Sequence, residues 1–231
     1  MKKYIWIIWF MCFGQQLLTA QTNQDGFKNH FITGESFRYY FQQYVGNPYF
    51  TNDWVLGSVQ LVSGERYDSI MLNFDIYKDD LLYYHSKLKR IVLVDKIIVK
   101  EFRFLEPLTD KELRVVNLNL PDSSNLSSGY YFQLVDDTVS LFIKKRKTID
   151  YYNNTVPNNN KLGKFYEETS YYYSLNGSYV KFSLRKRKLA KLFPQHYSQI
   201  LSFISSNNYS IKDKDNLYLI FMEINHLLKN P

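Results

Sequence analysis

Between Trp54 and Leu184 apolar and polar positions alternate with a period of two, the spacing of strands that bury one face. In the stretch from Arg66 to Ile76, Asp68, Ile70, Leu72, Phe74 and Ile76 fall on one face, and Tyr67, Ser69, Met71, Asn73 and Asp75 on the other. Val55 to Val62 precedes it, with Ser63-Gly64 as the hairpin turn between them. Further strands are predicted at Leu81 to His85, Ile91 to Val94, Ile97 to Phe104, Leu113 to Leu118, Tyr130 to Val135, Val139 to Arg146, Phe165 to Tyr173 and Tyr179 to Leu184. The connections are too short for parallel crossovers, so the pairing is expected to be antiparallel. The polar stretches from Pro121 to Gly129 and from Asn153 to Lys161 read as loops.

After Leu184 the period lengthens. Pro194 suits the first position of a helix, and Tyr197, Ile200, Leu201 and Ile204 then share a face that ends at Asn207-Asn208. Asp213 or Asp215 can cap a last helix, with Leu217, Ile220, Phe221, Ile224 and Leu228 as its stripe. A short helix is also expected around Ser36 to Tyr44. The chain therefore reads as α+β. A large curved antiparallel β-sheet (meander, partly open barrel or sandwich) is followed by two or three C-terminal helices.

The amino-terminal pattern is different. Lys2-Lys3, the apolar run Tyr4 to Phe13 and a small residue at Ala20 describe a secretory signal peptide. The run is too short to span a bilayer, which takes about 20 apolar residues. Residues 1–20 are thus read as a signal peptide, 21–53 as an N-terminal segment, 54–184 as the antiparallel β domain, and 185–231 as a helical segment packed on the sheet. The mature chain would be exported to the periplasm, the cell surface or the medium, and would not be an integral membrane protein. Cys12 is the only cysteine, so cleavage removes disulfide and thiolate chemistry.

The net charge is +7, with 21 Lys against 8 Arg, 19 Asn and 2 Ala. This composition follows AT-rich codons as well as it follows an acidic partner. Two basic runs still stand out: Lys144, Lys145, Arg146 and Lys147 at a strand end, and Arg185, Lys186, Arg187 and Lys188 ahead of the helices. If they lie together they form a patch for anionic lipid, an acidic glycan or an envelope protein; an exported chain is not expected to meet nucleic acid. As solvated charge at element ends they would do nothing further.

No sequence motif identifies a catalytic residue, a metal site or a cofactor. His30, His85, His196 and His226 are scattered without metal-ligand spacing, and Asp79-Asp80 and Asp136-Asp137 read as turn residues between strands. Tyr166, Tyr172 and Tyr130 are placed on one sheet face and Tyr171 and Tyr173 on the other, as core and cross-strand pairs; the functional alternative is sugar stacking or a greasy groove.

Two segments carry a resemblance. One is Gly129 to Leu134, the acidic turn Asp136-Asp137 and Val139 to Lys147. The other runs from Tyr171-Tyr172-Tyr173 through Lys188-Leu189, Lys191-Leu192-Phe193, Ile200 and Phe203-Ile204 to Leu217, Ile220 and Ile224-Asn225. With the strand pair around Ser63-Gly64, they resemble a family of exported β-rich proteins of the Bacteroidota whose function is not assigned. The resemblance implies export and carries over no catalytic residue; with no catalytic motif in the chain, a non-enzymatic binding or structural role in the envelope is expected. A carrier of lipid or another apolar ligand in a half-open barrel is the alternative. Asp68-Ser69-Ile70 and Asp137-Thr138-Val139 look like the O-glycosylation pattern of that phylum, which would make Ser69 and Thr138 acceptors.

Overall fold

The computed structural model describes residues 44–105, 111–120, 126–152 and 162–230. The expected signal peptide, most of the helix around Ser36 to Tyr44, His30 and the loop after Asn153 lie outside them.

Among the described residues, eleven strands form one open sheet. They are β1 (Tyr44–Val45), β2 (Val55–Leu61), β3 (Arg66–Asp75), β4 (Asp80–His85), β5 (Arg90–Leu93), β6 (Val99–Leu105), β7 (Glu112–Leu118), β8 (Gly129–Val135), β9 (Val139–Tyr152), β10 (Leu162–Leu175) and β11 (Ser178–Phe182). The order is β1-β10-β9-β8-β7-β6-β2-β3-β4-β5, with β11 also paired to β10. The antiparallel expectation holds for every strand from β2 onward. The short β1 adds a parallel pairing, Tyr44 to Gly163 and Val45 to Lys164. Its two residues carry too little periodicity to be read from the chain.

The sheet curls on itself. Phe74 of β3 meets Phe102 of β6 at 5.3 Å, Tyr130 of β8 at 5.6 Å and Phe132 of β8 at 6.1 Å between ring centroids. β3 and β8 are four strands apart in the ladder, a separation of about 19 Å in a flat sheet at 4.8 Å per strand. Curling thus buries Val59, Leu72, Phe74, Ile76, Phe102, Val115, Tyr130 and Phe132 against one another. Past the start of β8, the amide of Lys147 in β9 donates to the Ile76 carbonyl at 3.0 Å. The β3–β4 turn therefore sits beside β9 where β8 has begun.

One alternation expectation is corrected. In β3 the register jumps from Tyr67 opposite Val59 to Ile70 opposite Gly57, a bulge with Ser69 at φ 56°. The extra residue turns Tyr67 inward, so that Tyr67 and Ile70 both pack on the core instead of lying on opposite faces.

Three helices follow: α1 (Lys186–Ala190), α2 (Tyr197–Ser206) and α3 (Lys214–Lys229). Pro194 opens a 3-10 turn that leads into α2, and the Asp213 carboxylate caps α3 by accepting from the Asn216 amide at 2.8 Å. Their buried side chains, Leu189, Ala190, Ile200, Ile204, Leu217, Ile220, Phe221 and Ile224, close over Val135, Val139, Leu141, Tyr173 and Phe182 of the sheet. Among the described residues no helix is long and apolar enough to cross a membrane.

Candidate functional site

Strand alternation divides the first basic run. In β9, Leu141 and Ile143 face the core, so Lys145 and Lys147 share their face, and Lys144 and Arg146 take the other. The fold then engages Lys144, Lys145 and Lys147 one by one. Lys145 is ion-paired to Glu167, with its ammonium 5.3 Å from the Phe50 ring centroid. Lys147 donates to the Tyr49 carbonyl and, at 3.3 Å, to Asn47 Oδ1; burial pulls its ammonium below the ordinary value. Arg146 is exposed and stands opposite Glu168 in the ladder, as Lys147 stands opposite Glu167. The neighbouring strand thus sets two carboxylates against the run.

Lys144 is the buried member, 6% exposed. Its Nζ donates to Asp79 Oδ1 at 2.6 Å and to the Tyr130 carbonyl at 2.8 Å, and lies 4.6 Å from the Tyr131 ring centroid. Asp79 occupies the β3–β4 turn at φ 64°, and its other oxygen accepts from Lys96 Nζ at 3.0 Å and from the Tyr130 amide at 3.2 Å. Gly129 makes this approach feasible: it sits at φ 140°, and a Cβ there would lie 2.3 Å from Asp79 Oδ2 and 3.1 Å from Lys144 Nζ. Burial pulls the Lys144 ammonium below its ordinary value, with Asp79 pulling the other way. Burial, then the charges of Asp79, Asp80 and Asp95, push the Tyr130 phenol well above its usual range. The phenol therefore stays neutral, and its hydroxyl has no hydrogen-bond partner among the described residues. The cluster ties the β3–β4 turn, the β5–β6 connection and the start of β8 into one ionic clamp.

A second network crosses β6 and β7. Glu101, 4% exposed, accepts from Arg103 Nε at 3.0 Å and from Arg114 Nε at 2.9 Å and Nη2 at 2.7 Å. Arg114 reaches on to Asp136 at 2.6 Å, and Arg103 to Glu112 at 3.1 Å. Burial opposes ionisation of Glu101, and the hydrogen bonds of Arg114 and Arg103 outweigh it, leaving the carboxyl below its usual range.

The second basic run has a different fate. Arg185, Lys186, Arg187 and Lys188 are all exposed around α1, as is Lys191, and no ion pair holds any of them among the described residues. Ser69 and Thr138 are also exposed, the former at the β3 bulge and the latter in the β8–β9 turn. Asp136 and Asp137 lie in that turn, where Asp137 accepts from Lys229 Nζ of α3 at 2.7 Å. His196 is buried against Gln199 at 2.9 Å, and no group of three metal-ligating side chains occurs among the described residues.

The tyrosine grouping is corrected at one position. Tyr131, not Tyr130, lies on the face of Tyr172, their rings 5.9 Å apart. Tyr130 points into the core, because the register sets Phe132 opposite Ile143 and thereby turns even-numbered β8 residues inward. Asp79, Lys96 and Glu101 carried no signal as site residues. The residues that pair with them are brought up by the fold, Lys144 of β9 to Asp79 and Arg114 of the adjacent β7 to Glu101, and Asp79 matched an ordinary turn.

Comparisons with protein-family models, with curated proteins and with solved structures find no match to this chain.

Proposed function

We propose that this chain is an exported, non-enzymatic module of the bacterial envelope that acts by binding through its outer surface or by structural support, delivered by residues 1–20. The observation that carries this reading is the packing of α1–α3 on Val139, Leu141, Tyr173 and Phe182. The helices occupy the sheet face on which a half-open barrel would hold an apolar ligand. The pairing of the half-buried Asp79 and the buried Glu101 with lysine and arginine supports the same reading, since these carboxylates serve as cross-links between strands. Membership of the Bacteroidota family, and modification at Ser69 and Thr138, belong to this proposal through the sequence resemblance.

Native mass spectrometry of the protein purified from its host envelope tests it. The expected result is an apo chain beginning at Gln21, with any added glycan lost in the Ser69→Ala/Thr138→Ala variant. A stoichiometric co-purifying lipid would replace this reading with the apolar carrier. A chain that retains Met1 would overturn the cleaved signal peptide.

A further inference from the structure

From Thr169 to Lys212 the chain contains no Asp or Glu, while Lys181, Arg185, Lys186, Arg187, Lys188, Lys191 and Lys212 are all cationic. These seven charges equal the net charge of the whole chain, +7; the other 22 cations are balanced by the 22 carboxylates. The excess charge is thus confined to one 44-residue span, which folds as the end of β10, β11, α1 and α2.

Folding concentrates it further. Leu189 and Ala190 anchor α1 in the helical core, which leaves Arg185, Lys186, Arg187, Lys188 and Lys191 outside; Lys181 of β11 lies on the other face of the sheet, its ammonium 5.9 Å from the Tyr172 ring centroid. The adjoining helix α2 exposes Ser198, Gln199, Ser202, Ser205 and Ser206, which neither repel an anion nor insert into hydrocarbon. The first basic run, by contrast, faces Glu167 and Glu168 and is bonded internally.

We infer that Arg185, Lys186, Arg187, Lys188 and Lys191 form a docking face for an anionic phospholipid bilayer. Five long, unburied side chains supply charge density without a fixed arrangement of polar groups. A laterally mobile array of headgroup phosphates needs no more than that, whereas a discrete acidic sugar needs placed donors in a concavity. The contact is electrostatic and peripheral. The inference rests on the envelope reading above for the membrane it meets, and the two fail separately.

The test is co-sedimentation of the chain, purified from its host envelope, with vesicles of equal parts phosphatidylglycerol and phosphatidylcholine. Binding is expected to phosphatidylglycerol vesicles and not to pure phosphatidylcholine. It should fade between about 0.1 M and about 1 M salt, where the screening length falls from about 10 Å to about 3 Å. The Lys186→Gln/Arg187→Gln/Lys188→Gln/Lys191→Gln variant should bind about a hundredfold more weakly with an unchanged melting temperature. Lys89→Gln/Lys100→Gln/Arg146→Gln/Lys164→Gln, which removes the same charge elsewhere, should stay within about threefold of the parent.

Equal binding by the α1 variant and the parent would overturn the inference, as would an equal loss in the second variant. Displacement by an acidic polysaccharide at a lower charge concentration than phosphatidylglycerol would overturn it in favour of a glycan. Should the quadruple variant melt early, Arg187→Gln and Lys188→Gln singly, with the salt titration, decide the same question. A mature chain starting at Gln21 that ignores the vesicles leaves export standing and removes the docking face. A chain that keeps Met1, and whose vesicle binding is lost in the α1 variant, overturns the cleaved signal peptide and leaves the docking face standing.

Discussion

Lys144 Nζ lies 2.6 Å from Asp79 Oδ1 across 65 residues of sequence, and the pair joins the turn of an early hairpin to the interior of β9, a strand of 14 residues. Both side chains are largely withdrawn from water, 7% and 21% exposed. Removing one partner therefore leaves the other under-compensated: Lys144 keeps only the Tyr130 carbonyl and the Tyr131 ring, and Asp79 keeps Lys96 and the Tyr130 amide. Lys144→Met is expected to lower unfolding free energy by about 3 kcal/mol, and Asp79→Asn by a similar amount. The double variant should cost clearly less than the two together. Urea denaturation of the four proteins measures this coupling, and additive losses would contradict the clamp.

Gly129 controls the same contact from the backbone side. At φ 140°, with Asp79 Oδ2 2.3 Å from the position of its missing Cβ, Gly129→Ala both strains the backbone and displaces the carboxylate. A loss of about 2–4 kcal/mol is expected. Gly64→Ala, in a turn at φ 93° with open space around it, should lose about 1 kcal/mol. Thermal melts of the two variants rank them.

Asn225 is the polar exception in the buried face of α3. Its Oδ1 accepts from the Val139 amide at 2.7 Å, and its Nδ2 donates to the carbonyls of Val139 and Phe221, each at 2.9 Å. The amide thereby hydrogen-bonds the first residue of β9 as a neighbouring strand would. Asn225→Leu keeps the branched outline of the side chain and leaves the Val139 amide and carbonyl without their Asn225 partners, for an expected loss of about 2–4 kcal/mol. Hydrogen exchange at the Val139 amide should accelerate beyond the global change.

Glu101 sets an acid limit on stability. Its carboxyl lies below the ordinary range in the folded protein, because Arg114 and Arg103 outweigh its burial. In the acid range the unfolded chain then binds more protons at this group, so stability rises with pH. The contribution is fully present above the unfolded value of about 4.3 and disappears as pH falls through the lower folded value. The acid limb of the stability–pH curve should flatten in Glu101→Gln. An unchanged limb would mean that the two arginines do not hold the carboxylate.

Much of the architecture is legible in local pattern. Strand edges from Val55 to Phe182, the Ser63-Gly64 turn, the Asp213 cap and the stripe of α3 follow from periodicity and capping, because each depends on neighbours a few residues away. The sequence by itself thus determined the α+β class and the order of its parts. It also marked one acid-free span in the last third and set both basic runs at element ends. That placement holds for Arg185 to Lys188 but not for Lys144 to Lys147, which lie inside β9 because that strand continues to Tyr152. Tertiary structure alone decided that the sheet curls until Phe74 meets Tyr130, that the Ser69 bulge turns Tyr67 inward, and which tyrosine of the pair Tyr130-Tyr131 faces the core. Above all it separated the two runs. Lys144, Lys145 and Lys147 are drawn into contacts with Asp79, Glu167 and Tyr49, while Arg185 to Lys188 remain in solvent. Formal charge is a local property, whereas its neutralisation depends on which distant carboxylate the fold delivers within about 4 Å.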